Sequence, residues 1–206
     1  MDHSDKLQQI EQLRNQLERL ESELREEPPT PWRATSYYTA YYANNGFMLG
    51  MFAAISSLLF NVVGATLVGK HPLELIRVYL TFPLGEEALS LESGLTLAIG
   101  CCLYIATGML LGIPMYLALT RWTGQATFFR RLLVASGLML GVWIVNYYCV
   151  LSWLQPLLFG GNWIIQEIPW WVGALTHLVY GWTMVLLYPL GLYHPYLPYF
   201  TQSERP

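Results

Sequence analysis

The chain has 206 residues, of which 54% are hydrophobic and only 12% are charged, whereas soluble globular proteins carry about 25% charged residues. The formal net charge is -3, and no basic patch is interleaved with aromatic residues, so nucleic acid is not an expected partner. Eight acidic and four basic side chains lie in residues 1–27. These features predict a short soluble segment followed by a membrane domain.

The first predicted element is an amphipathic helix over residues 1–27, on the cytoplasmic side. Its apolar residues recur at spacings of three and four, at Ile10, Leu13, Leu17, Leu20 and Leu24. This heptad pattern is typical of a coiled-coil seam, and we expect it to bind a partner helix. The prolines of "EEPPTPW" end the helix. Residues 28–45 are predicted to be a linker rich in proline and tyrosine.

Residues 46–193 contain four apolar segments long enough to cross a membrane, which takes about 20 helical residues. They cover residues 46–68, 94–119, 132–155 and 169–190. Pro72–Thr81, between the first two, is predicted to be a short helix in the outer interface, and residues 194–206 a cytoplasmic tail. The expected fold is therefore an all-α integral membrane protein, a four-helix transmembrane bundle with a cytoplasmic amphipathic or coiled-coil helix.

The distribution of basic residues predicts the orientation of the spans. If the N-terminus is inside, the short cytoplasmic segments contain Arg33, Arg121, Arg130, Arg131 and Arg205. The outer loops then contain only Lys70 and Arg77. We expect a multi-pass protein of an inner or plasma membrane, with both termini in the cytoplasm.

Small residues recur one helical turn apart in every span. The helix-packing positions that we predict are Gly46, Gly50, Ala54, Ser57 and Asn61 in the first span, Gly108 and Gly112 in the second, Gly137 and Gly141 in the third, and Gly173 and Gly181 in the fourth. Membrane helices associate through close backbone contact, which such faces permit. The pattern indicates a tightly packed bundle or a large interface with other subunits.

Four polar residues are predicted to lie at one depth in the membrane, from the helical rise per residue: Asn61, Tyr104, Asn146 and His177. We expect them to form a buried hydrogen-bond network with a neutral His177, while Gly173 and Gly181 admit a neighbouring helix. Two alternatives remain open. His177 is a possible axial ligand of haem b, although no second histidine lies within a span, and His177 with Tyr104 is a possible quinone contact.

Two further sets of residues bear on function. His71, Glu74, Arg77, Glu86 and Glu87 in the outer loop suggest a partner or metal site. The simpler interpretation pairs Glu74 with Arg77 on a solvated helix face and places His71 in a turn. The cysteines, Cys101, Cys102 and Cys149, form no C-x-x-C motif, and we interpret them as buried, inert thiols.

These observations favour a non-catalytic structural or accessory subunit of a multi-subunit membrane complex, with membrane lipids and other subunits or further copies of the chain as partners. The alternative is a redox membrane subunit that binds haem or contacts quinone through His177. A channel or transporter is a weaker interpretation, because the spans have no Asp, Glu, Lys or Arg in their interiors.

Overall fold

The computed structural model of the chain describes residues 3–26, 38–92 and 94–193, and the regular structure in these ranges is helical. The helices are α1 (His3–Glu26), α2 (Thr39–Leu67), α3 (Glu74–Leu84), α4 (Leu95–Thr123), α5 (Phe128–Ile144), α6 (Ser152–Phe159), α7 (Trp163–Glu167) and α8 (Trp170–Leu187). Two 3-10 segments cover Gly85–Ser90 and Tyr188–Gly191, and a π-helical segment covers Val145–Leu151. The predicted tail, Arg33 and Arg205 lie outside the described residues.

The chain divides into two compact units, Met1–Tyr37 with Pro195–Pro206, and Tyr38–His194. In the first unit, α1 confirms the predicted N-terminal helix. Its predicted seam is uncovered, because Ile10, Leu13, Leu17 and Leu20 are between 51% and 60% exposed. The side chain of Leu24 lies outside the described residues.

In the second unit, four described helices are long and apolar enough to span a membrane. They are Thr39–Leu67, Leu95–Thr123, Phe128–Phe159 and Trp170–Gly191. The prediction of four apolar spans is therefore confirmed, but α2 begins at Thr39 rather than Gly46. Residues 39–45, assigned to the linker by sequence, are helical because no proline interrupts them, and Asn45 donates a hydrogen bond to the carbonyl oxygen of Gly191 (3.3 Å).

The spans pack with neighbouring helices antiparallel. The contact between α2 and α4 is the most extensive, and α8 packs on both α2 and α5. In contrast, α4 and α5 make few direct contacts. At the α2–α4 contact, a Cβ atom added to Gly46 would lie 2.6 Å from the carbonyl oxygen of Gly112. One added to Gly50 would lie 2.6 Å from that of Gly108. Backbone thus rests directly on backbone along this contact.

The helix α3 is largely buried, and this corrects the prediction of a solvated Glu74–Arg77 pair. Arg77 is only 8% exposed, and Ile76 and Thr81 are fully buried. The helix packs on α4 at Gly100, where an added Cβ would lie 2.7 Å from Ile76 and from Leu80. The Arg77 side chain is only 10% exposed and donates to the carbonyl oxygen of Leu91 and to Glu92, so its guanidinium is enclosed rather than solvated.

The cysteines were also predicted incorrectly. Cys102 and Cys149 are exposed and Cys101 is half-buried. All three lie on helices long enough to span a membrane, so the apolar sequence around them reflects outward-facing helix surfaces as well as the interior of the protein.

Candidate functional site: a cavity between the membrane-span helices

A cavity of about 450 Å³ lies where α4 and α5 diverge. It is lined by residues of α2, α3, α4, α5, the π-helical segment, α7 and α8. Most of the wall is apolar. The residues that bring polar groups to the wall are Ser57, Tyr79, Tyr104, Thr107, Asn146, Tyr147, Thr176, His177 and Tyr180.

His177 lies in α8 and hydrogen-bonds to its own helix. Its Nδ1 atom is 2.8 Å from the carbonyl oxygen of Gly173. A carbonyl oxygen only accepts, so Nδ1 carries the hydrogen, and in the neutral imidazole Nε2 is then an acceptor. Among the described residues, no group hydrogen-bonds to Nε2. His177 therefore brings an unused acceptor to the cavity wall.

The predicted polar layer is present as separate pairs rather than as one network. Asn61 donates from Nδ2 to Oγ1 of Thr176 (2.9 Å). The hydroxyl groups of Ser57 and Tyr104 are 2.9 Å apart. The expectation that these residues satisfy His177 is wrong. Asn61 and Tyr104 each have a partner on a facing helix, Asn146 makes no side-chain hydrogen bond in the described part of the chain, and His177 bonds to backbone.

Two residues that the sequence analysis did not single out complete this region. Thr176 precedes His177, and Tyr180 follows it by three positions, which places Tyr180 on a neighbouring part of the same helix face. The Tyr180 hydroxyl donates to the carbonyl oxygen of Gly108 (2.6 Å), which ties α8 to α4. The sequence signal that could have identified Thr176 and Tyr180 is their position one residue before and three residues after His177.

The π-helical segment supplies a further part of the wall, through Asn146, Tyr147 and Leu151. π-helical turns are rare and are frequent at functional sites. Tyr147 is buried, and its hydroxyl donates to the carbonyl oxygen of Ile168, just after α7. Asn146 is exposed and makes no side-chain hydrogen bond within the described part of the chain. It therefore remains free to contact a ligand.

The glycines on either side of His177 lie against the third span. A Cβ added to Gly181 would lie 2.6 Å from Cγ of Met139, and one added to Gly173 would lie 2.9 Å from Nε1 of Trp143. These two surfaces are occupied by protein side chains. They do not form an open, flat surface for a tetrapyrrole around His177.

Gly137 and Gly141, in contrast, contribute no packing between the described helices of this chain. A Cβ atom added to either glycine would meet no atom within 4 Å. Both residues are exposed on α5. The same G-x-x-x-G spacing therefore packs in α4 and faces outward in α5.

Residues of the predicted outer loop form a separate polar cluster. Arg77 donates to Oε1 of Glu92 (2.9 Å) and to Oε2 of Glu74 (3.4 Å). His71 accepts from the backbone N–H of Leu73 (3.1 Å), so its other nitrogen donates to the carbonyl oxygen of Glu92 (3.0 Å). In the described ranges, no three His, Cys, Asp or Glu residues are arranged to hold a metal ion. The cluster closes the turn before α3 and anchors the segment before α4.

Sequence reasoning also missed Gln155, which is fully buried. Its amide group donates to Oγ1 of Thr81 (2.9 Å) and accepts from the backbone N–H of Ile164 (3.1 Å). Gln155 thereby joins α6, α3 and α7, and Ile164 of this contact lines the cavity. A lone amide at the end of an apolar span was the signal for such a role.

Comparison with known proteins finds no family model, no curated protein and no solved structure that matches this chain.

Proposed function

We propose that this protein is a non-catalytic accessory subunit of a multi-subunit membrane complex. In this proposal α1 binds a helix of another subunit. The observation that carries the proposal is the uncovered seam of α1, in which Leu13, Leu17 and Leu20 are 59% to 60% exposed. An isolated helix of this kind gains little stability in water until its apolar face is buried.

The charge of the segment favours protein over lipid as the occupant of this seam. Residues 1–27 hold eight acidic and only four basic side chains. The cytoplasmic surface of a membrane is negatively charged and attracts basic segments. We therefore propose a partner helix that has an apolar stripe flanked by basic residues.

Replacing Leu17 and Leu20 with Asp tests this proposal. The two buried charges would break the seam, so the complex purified from its native membrane should lose a subunit on a native gel. The matched control is Gln12→Asp with Asn15→Asp, which adds the same charge at exposed positions outside the seam. Unchanged migration of the Leu17/Leu20 variant would refute the proposal. A complex that contains only this chain would also contradict it, because a second copy of α1 brings the same excess of acidic residues.

We propose further that the protein crosses an inner or plasma membrane with both termini in the cytoplasm. In support, Tyr38 and Tyr193 have ring centroids only 4.9 Å apart, so the two ends of the membrane domain lie together. Arg131, one of the basic residues counted for orientation, lies at that same end, with its guanidinium 3.8 Å from the Tyr188 ring centroid.

Labelling of single cysteines in intact cells tests this orientation. In a variant with the native cysteines replaced by Ser, Gln166→Cys should react with an impermeant maleimide, whereas Gln125→Cys should react only after the cells are opened. Both positions are exposed. The reverse pattern would overturn the orientation.

A redox subunit that contacts quinone or binds haem through His177 is a second candidate function. The observation that favours quinone contact is that His177 and Tyr104 line one cavity. The packing of Met139 and Trp143 on the glycines beside His177 argues against haem. An absorption spectrum of the purified protein separates the two cofactors. A Soret band that disappears in His177→Gln would support haem, and a spectrum without that band would leave quinone contact as the redox alternative.

A further inference from the structure

The cavity has the size and position of a site for a molecule dissolved in the membrane. Its volume of about 450 Å³ lies within the range of small-molecule pockets, about 300 to 1,000 Å³. His177 is about 10 Å along α8 from Trp170, and Thr107 is about 18 Å along α4 from Leu95, at 1.5 Å per residue. Both distances place the cavity well inside the apolar spans.

The cavity opens sideways, between α4 and the π-helical segment. Four of its lining residues are exposed, Leu103 and Thr107 on α4, Asn146 on the π-helical segment and Pro83 on α3. Leu103 is 46% exposed. Leu103, Thr107 and Asn146 belong to candidate membrane spans. A ligand would therefore enter from the lipid rather than from water.

The hydrogen bonds already made around the cavity define what a ligand must supply. Tyr104 is paired with Ser57, and Tyr180 donates to the carbonyl oxygen of Gly108. Among the described residues, Nε2 of His177 is left as an acceptor with no donor. An unpaired acceptor in apolar surroundings is unfavourable, so a ligand that supplies a donor is favoured. The complementary ligand group is a hydrogen-bond donor, such as a hydroxyl.

Aromatic side chains around the same space favour a ring. Tyr79 and Tyr104 meet edge to face with ring centroids 5.9 Å apart, and Phe82 and Tyr147 also line the wall. Aromatic rings pack well in such offset and edge-to-face arrangements.

We propose that this cavity binds a membrane-soluble phenol or hydroquinone, which enters between α4 and the π-helical segment and donates a hydrogen bond from a ring hydroxyl to Nε2 of His177. The inference concerns binding and includes no electron transfer. It deepens the second candidate function by naming the reduced, hydroxyl-bearing form of the ligand. It does not depend on the partner-binding role of α1.

Three radiolabelled probes test the proposal on the full chain in lipid nanodiscs, under argon: a decyl-substituted hydroquinone, its quinone, and its dimethyl ether. The hydroquinone should bind about tenfold more tightly than the other two, because only it donates a hydrogen bond, and one such bond corresponds to about a factor of ten in Kd. In His177→Phe this preference should disappear, with binding of the ether unchanged. His177→Gln, which keeps an acceptor, should retain part of it.

A second pair of variants tests the opening without relying on His177. Leu103→Trp should weaken all three probes at least tenfold, because the indole would fill the opening. Leu110→Trp is the matched control, since Leu110 is 62% exposed on the same helix and does not line the cavity. Equal binding of the three probes, tightest binding of the quinone, or no binding at all would each refute the proposal. These outcomes leave the α1 proposal intact, and haem is detected separately by the Soret band.

Discussion

The two sides of α4 show opposite ways of packing a membrane helix. On the α2 side, small residues bring backbones into contact, so that a Cβ on Gly112 would lie 2.8 Å from Cα of Gly50. On the α5 side, aromatic residues and the π-helical segment line a cavity of about 450 Å³. Because both sides belong to one apolar span, overall hydropathy does not decide between a closed contact and an open one. The size and shape of the facing residues decide it.

The largest effect is expected from a substitution in the G-x-x-x-G pair of α4, whose glycines contact α2, rather than in the pair of α5, whose glycines face outward. Gly112→Ala places a Cβ in steric overlap with the carbonyl oxygen of Gly46, which is backbone and cannot move alone. We expect the free energy of unfolding, measured by titration with SDS in mixed micelles, to fall by about 3 kcal/mol, at the upper end for overpacking.

Gly141→Ala is the matched control for this experiment. It has the same chemistry and spacing but meets no atom within 4 Å. Alanine is favoured over glycine in helices by up to about 1 kcal/mol, so this variant should be neutral or slightly more stable. Equal losses in Gly112→Ala and Gly141→Ala would contradict the difference between the two helix faces.

A smaller effect is expected where a side chain, rather than backbone, faces the glycine. In Gly181→Ala the new Cβ would lie 2.6 Å from Cγ of Met139, which is fully buried. Methionine adapts its shape more easily than backbone does, so we expect a loss of about 1 to 2 kcal/mol in the same titration.

The double variant Gly181→Ala with Met139→Ala identifies the cause of that loss. If the overlap with Met139 is responsible, the double variant should lose less free energy of unfolding than the two single variants lose together. Substitutions at neighbouring positions are not additive. Strictly additive losses would mean that the effect of Gly181→Ala does not arise from the overlap with Met139.

The four spans were predictable because length and hydropathy determine them. Spacing also drew attention to Gly46 and Gly50 on α2 and to Gly108 and Gly112 on α4, which meet at one contact. Which faces meet was not predictable, as Gly137 and Gly141 show. Their spacing is the same as in α4, but the outcome depends on a facing helix that local sequence does not specify.

The candidate site was predictable only in part. Apolar context drew attention to His177, Tyr104 and Asn146, and all three line the cavity. Their partners were not predictable, because the hydrogen bonds from Asn61 and Tyr104 cross between helices far apart in sequence. The π-helical segment was not predictable either, because its sequence "VNYYCVL" contains no glycine or proline that would indicate an irregular helix. Arg77 is buried because the chain returns to it at Leu91 and Glu92, a tertiary contact.

The smallest expected effect concerns the hydrogen bond between Ser57 of α2 and Tyr104 of α4, a residue that also lines the cavity. The neighbouring Ser56 is half-buried and, within the described residues, its side chain bonds only to the carbonyl oxygen of Phe52 in its own helix (2.9 Å). Hydrogen bonds between membrane helices are worth about 0.6 kcal/mol on average. Ser57→Ala should therefore lower the free energy of unfolding by about that amount, and Ser56→Ala should leave it unchanged. A double-mutant cycle with Tyr104→Phe isolates the bond, since its coupling energy should equal the Ser57→Ala loss. A coupling energy of zero would show that the two hydroxyl groups do not stabilise the contact between α2 and α4.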